Sequence, residues 1–105
     1  MSKDLIMGVY RIYDKKSGVS YLGYSHHVMG TFKRLRFELT LNASPNKPLQ
    51  RLWNDTGGLE MELLESVATS ETMSDEEVES YLRARMYYWC DKLNQHNRFV
   101  QSSVK

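Results

Sequence analysis

At 105 residues the chain is long enough for one domain with a single modest core and too short for a second module. It is 41% hydrophobic and 26% charged, with no apolar run near the ~18 residues of a membrane-spanning helix. MSKDLIMG lacks the profile of a signal peptide, so the expected location is cytoplasmic. The net charge of +1 hides a division: residues 1–57 hold nine Lys/Arg against four acids, the remainder five against nine. A +5 half beside a −4 half suits a face turned to a polyanion, and equally two solvated patches on a near-neutral domain.

Residues 5–13 (LIMGVYRIY) and 19–24 (VSYLGY) are rich in β-branched and aromatic side chains. The stretch Asp14-Lys15-Lys16-Ser17-Gly18 between them has turn chemistry, so the pair reads as an antiparallel hairpin. A symmetric register closing on Lys15-Lys16 opposes residues whose numbers sum to 31 and sets Tyr10 across from Tyr21. A longer loop with a bulge at Gly18 raises the sum to 33. Either odd sum leaves both tyrosines on one sheet face.

From Ser25 or His26 the period becomes helical, with Val28, Phe32, Leu35 and Leu39 as the apolar stripe. Residues 42–48 form a loop, and a second helix starts near Pro48, buries Leu49, Leu52 and Trp53, and stops at Gly57-Gly58. Leu59, Met61 and Leu63 alternate as one face of a third strand. Ser74-Asp75-Glu76-Glu77 is a capping box opening a last helix to about Leu93. Cys90, the single cysteine, closes no internal disulfide, has no metal-type partner spacing and reads as a buried thiol. The expected fold is α/β (α+β): a small three-stranded sheet with an antiparallel N-terminal hairpin and about three helices, in the order ββ-α-α-β-α. Residues 1–98 make the domain and 99–105 a tail.

Gly8-Val9-Tyr10 and Tyr21-Leu22-Gly23, separated by a hairpin turn, resemble the signature of the GIY-YIG nuclease family, with Val and Leu in place of Ile. The resemblance continues through an arginine-bearing helix (Thr31-Phe32-Lys33-Arg34-Leu35-Arg36) and Pro48-Leu49-Gln50-Arg51-Leu52-Trp53-Asn54. It extends to Leu64-Glu65 and Tyr88-Trp89, covering residues 6–97. It implies a metal-dependent DNA endonuclease of phage or mobile-element type, nicking one strand per active site. Glu65 matches the family's metal-binding glutamate, and carboxylate oxygen suits Mg²⁺ or Mn²⁺; Glu60, Glu62 and Glu71 compete on sequence grounds.

Tyr10 matches the proposed general base and Tyr21 the residue that orients water or phosphate. A phenol of ordinary pKa needs nearby positive charge to act as a base at neutrality. Arg34 is the matching arginine, with an ion pair to Glu38 as its structural alternative. Many relatives carry His, Lys or Tyr where Glu38 stands, and His27, beside His26, is the substitute for proton transfer. Asn94 or Asn97 matches a late supporting asparagine. Lys33, Arg36, Lys47 and Arg51 supply contacts to double-stranded DNA, with sequence preference left to loop 40–48, a homodimer or a partner protein. A binding module that keeps the fold without cutting is the reading of another class.

Overall fold

The computed structural model describes residues 6–68 and 71–93. Three strands and three helices follow in chain order: β1 (Gly8–Tyr13), β2 (Ser20–Ser25), α1 (Val28–Thr40), α2 (Lys47–Thr56), β3 (Glu60–Ser66) and α3 (Asp75–Lys92). The sheet is antiparallel, in the order β2-β1-β3. This is the expected α+β architecture. The tail 99–105, Asn94 and Asn97 lie outside the described residues. Among those described, no helix is long and apolar enough to cross a membrane.

The hairpin takes the longer of the two registers. Tyr10 opposes Gly23 and Ile12 opposes Tyr21, a constant sum of 33. The loop closes through Asp14 N–H to the Val19 carbonyl at 3.0 Å and Gly18 N–H to the Asp14 carbonyl at 2.9 Å. Gly18 sits at φ +79°, which a Cβ would strain. The Asp14 carboxylate accepts the Ser17 N–H at 3.0 Å, and that local bonding holds its pKa below the usual carboxylate value.

Burial is divided between two clusters, one on each face of the sheet, rather than gathered in one core. Tyr10, Ile12, Val28, Phe32, Leu35, Leu39 and Leu49 pack on the face covered by α1 and α2, with Tyr21, Trp53, Leu59, Met61 and Leu63 around them. Val9, Leu22 and Tyr24 pack with Val67, Val78, Leu82, Met86 and Cys90 under α3. The physical reason lies in β1. As the central strand it is covered on both sides, so Val9, Tyr10 and Ile12 all fall to 0% exposure.

Helix ends follow local chemistry. Asn46 Oδ1 accepts the Leu49 N–H to cap α2, which has proline in its first turn and ends at Gly57. Ser74 and Glu77 form the reciprocal capping box of α3.

β3 does not pair evenly. Tyr10 to Tyr13 meet Leu63 to Glu60 in one register, but Val9 opposes Glu65 and Gly8 opposes Ser66, so a bulge at Leu64 inserts one residue. The strands come so close there that a Cβ on Gly8 would lie 2.0 Å from the Glu65 carbonyl oxygen. The first glycine of the signature is required by that approach.

Candidate functional site

Tyr10 and Tyr21 share the sheet face under α1 and α2, as either odd register demands. Tyr10 is wholly buried and meets Phe32 edge-on, with ring centroids 5.5 Å apart. Tyr21 is half-buried at the margin of the same cluster.

Glu65 is elsewhere. The bulge pairs it with Val9, whose side chain belongs to the α3 face, and opposed residues share a face. Its Oε1 accepts the Arg85 Nε–H and the Trp89 Nε1–H, each at 2.9 Å, both from α3. Arg85 is held in turn over the Tyr88 ring, 4.3 Å from its centroid. The hydrogen bond that Arg85 donates to Glu65 is the main cause that raises the Arg85 pKa. Glu65, expected beside the two phenols, belongs to the opposite face of the sheet from them in this structure.

The fit of a divalent metal follows from the same contacts. Mg²⁺ or Mn²⁺ takes one or two carboxylates and fills its other positions with water and phosphate oxygen, whereas Glu65 Oε1 here is shared by an indole N–H and a guanidinium whose charge repels a cation. Among the described residues no three His, Cys, Asp or Glu side chains gather in a metal-holding group. Bonded as it is to Arg85 and Trp89, Glu65 Oε1 does not fit Mg²⁺ or Mn²⁺.

Arg34 stands on the outward side of α1. The buried positions of α1 are Val28, Thr31, Phe32, Leu35 and Leu39, and at about 100° per residue Arg34 falls ~120° from their centre. Its Nε lies 3.9 Å from Glu38 Oε2, one turn on. That is the structural alternative, an exposed pair of small energetic weight. Thr31 occupies the inward position, its hydroxyl 2.7 Å from that of Ser25. His27 is exposed at the start of α1, its N–H donating to Ser25 Oγ at 2.9 Å, and its ring covers Gly30. Lys33, Arg36, Lys47 and Arg51 are all exposed on α1 and α2.

Two arrangements escape sequence reading. Glu79 of α3 accepts the Tyr24 hydroxyl at 2.5 Å, and His26 Nε2 and an Arg83 nitrogen lie 3.2 and 3.7 Å from its carboxylate. Burial opposes the Glu79 charge, but bonds from Tyr24 and His26 with the charge of Arg83 outweigh it, so its pKa is lowered. Burial, then the Glu79 bond and charge, raise that of Tyr24. The second arrangement is a chain of amides, Gln50, Asn54 and Asn42, between α2 and the end of α1. Neither has a short-range sequence signal, because each joins segments brought together by folding.

No protein-family model matches the chain, and no curated protein matches it. Two solved structures are similar to it. The catalytic domain of the homing endonuclease I-TevI superposes with a TM-score of 0.70 at 20% identity, covering 90% of this chain and 98% of that one. A glutamate-to-alanine variant of the catalytic domain of intron endonuclease I-TevI gives a TM-score of 0.67 at 22% identity, covering 85% of this chain and 84% of that one. The paired Gly8-Val9-Tyr10 and Tyr21-Leu22-Gly23 strands, the three-stranded antiparallel sheet and these superpositions agree: the chain has the GIY-YIG nuclease fold.

Proposed function

We propose that this chain is a DNA-binding module on the GIY-YIG fold, engaging the duplex backbone through the exposed cations of α1 and α2, and that it does not cut DNA at a metal held by Glu65. One observation carries this reading. Glu65 bonds Arg85 and Trp89 on the sheet face opposite Tyr10 and Tyr21, and that arrangement supports binding without a metal centre shared by the three. Lys33, Arg34, Arg36, Lys47 and Arg51 are exposed, and such cations bind phosphate by releasing counterions.

The test is fluorescence anisotropy with a labelled duplex over a range of salt, beside a supercoiled-plasmid assay in Mg²⁺ and Mn²⁺. Binding weakens with salt, and Arg36→Gln and Lys47→Gln each reduce the logarithmic slope by about 0.9. The plasmid stays supercoiled. Absence of binding at low salt, or a slope indifferent to both variants, refutes the module.

A second reading is favoured by the shared face of Tyr10 and Tyr21 in a fold that a homing endonuclease domain also has. On it the chain is an endonuclease that nicks one strand per encounter in Mg²⁺ or Mn²⁺, in the cytoplasm of a bacterial host if phage-encoded. Nicking by the wild type that Tyr21→Phe and Arg34→Ala both abolish establishes it over the binding module.

A further inference from the structure

The amide chain has a polarity that can be read from its inner end. Gln50 is 6% exposed. Its Oε1 accepts the Ser44 backbone N–H at 3.0 Å, and its Nε2 donates to the Leu39 carbonyl at 3.0 Å. A backbone N–H only donates and a carbonyl only accepts, so those partners fix which end of the Gln50 amide is nitrogen. The second Nε2 hydrogen goes to Asn54 Oδ1 at 3.1 Å. Asn54 must then present its nitrogen to the next group, and Nδ2 donates to Asn42 Oδ1 at 3.2 Å. With its oxygen committed inward, exposed Asn42 holds its NH₂ away from the chain. The backbone supports this placement: Asn42 sits at φ +59°, a conformation asparagine tolerates better than most residues.

That oriented donor stands at a cleft whose rim carries Lys47 and Arg51, one turn apart on α2, and one carboxylate, Asp55. Two cations and a fixed N–H donor suit a phosphate oxygen, which accepts and does not donate. We propose that this cleft is a phosphate subsite in which Asn42 Nδ2 contacts a backbone phosphate of bound DNA, Lys47 and Arg51 supply the charge, and Gln50 and Asn54 are positioning residues. The inference rests on the reading of the α1–α2 side as the DNA-facing surface and gives that surface a defined contact.

The test follows the side-chain amide resonances of ¹⁵N-labelled protein during titration with inorganic phosphate, with duplex binding measured in parallel. Phosphate shifts the Asn42 Nδ2 signal in the wild type. Asn42→Asp keeps an acceptor for Asn54 but turns the outward donor into a carboxylate, so the phosphate response is lost and duplex affinity falls about tenfold. Asn42→Gly, compatible with the positive φ, removes the donor without adding charge and weakens binding less. Asn54→Asp still accepts from Gln50 but offers Asn42 an acceptor, so Asn42 turns its NH₂ inward. Its protons become protected and cease to respond to phosphate, which a merely structural role for Asn54 does not require.

A wild-type Asn42 signal that ignores phosphate overturns the subsite, as does duplex binding unchanged in both Asn42 variants. A phosphate response at Asn42 without any duplex binding keeps the subsite and overturns the DNA reading instead.

Discussion

Glu65→Ala separates a structural pin from a metal ligand. The carboxylate accepts two bonds on one oxygen at 2.9 Å, one from the Trp89 indole and one from the Arg85 guanidinium. Truncation leaves the indole N–H, in a part-buried environment, without its charged acceptor. Hydrogen bonds to charged groups contribute about 1.5–3 kcal/mol. The lower end applies here because Glu65 keeps about a quarter of its side-chain surface in water (26%). Arg85 adds little further loss, since its guanidinium reaches solvent and rehydrates. A loss of ~1.5–2 kcal/mol in a domain of this size lowers Tm by about 6–10 °C. Glu65→Gln, which retains an acceptor but not the charge, costs about half as much. Urea titration and thermal melts followed by tryptophan fluorescence give both numbers, and the emission of Glu65→Ala changes because Trp89 loses its partner. The reasoning is refuted if Glu65→Ala melts with the wild type and abolishes a metal-dependent nicking activity.

Gly8→Ala forces a methyl against the Glu65 carbonyl oxygen and destabilises by about 2 kcal/mol or more, read by urea titration. Tyr10→Ala opens a cavity between β1 and Phe32 and costs ~3–5 kcal/mol, so the expected outcome is a chain that melts near room temperature or fails to fold, judged by circular dichroism. The lowered pKa of Glu79 gives stability present above the unfolded carboxyl value of about 4.3 and lost as pH falls through the lower folded value. The raised pKa of Tyr24 gives stability present below pH ~10 and lost as pH climbs towards the higher folded value. Thermal melts across pH therefore show both flanks, and Glu79→Gln flattens the acid one. Ser74→Ala removes the α3 cap and costs ~1 kcal/mol in the same melts.

The elements of this fold are legible in the chain because each is announced locally. Asn46 and Pro48 open α2, Ser74 and Glu77 open α3, and the period changes from two to 3.6 after Ser25. The site was less legible, for one physical reason. Strict alternation from Leu59 carries Glu65 to the face of Leu63 and hence of Tyr10. The bulge at Leu64 adds a residue and turns Glu65 to the other side. Its mark in the structure is that Leu64 and Glu65, adjacent in sequence, both turn to the α3 side, where strict alternation would separate them. Arg85 and Trp89, four apart on α3, give Glu65 its partners, but no short motif ties residue 65 to residues 85 and 89. The amide chain from Gln50 to Asn42 is illegible for the same reason, since it exists only once α2 folds back on the end of α1.

Two residues of the signature, Gly8 and Tyr10, have structural duties here. Gly8 admits β3, and Tyr10 fills the space between β1 and Phe32 with no surface left to water. Tyr10 packs among Val28, Phe32, Leu35 and Leu39 of α1, so lifting α1 to bring its phenol to a phosphate would expose them as well. At ~25 cal/mol per Å² of apolar surface, uncovering four such side chains costs several kcal/mol, comparable with the whole stability of a small domain. The exposed cations of α1 and α2 carry no such cost, because they meet a polyanion as they stand. That difference in reorganisation is the energetic argument for binding over cutting.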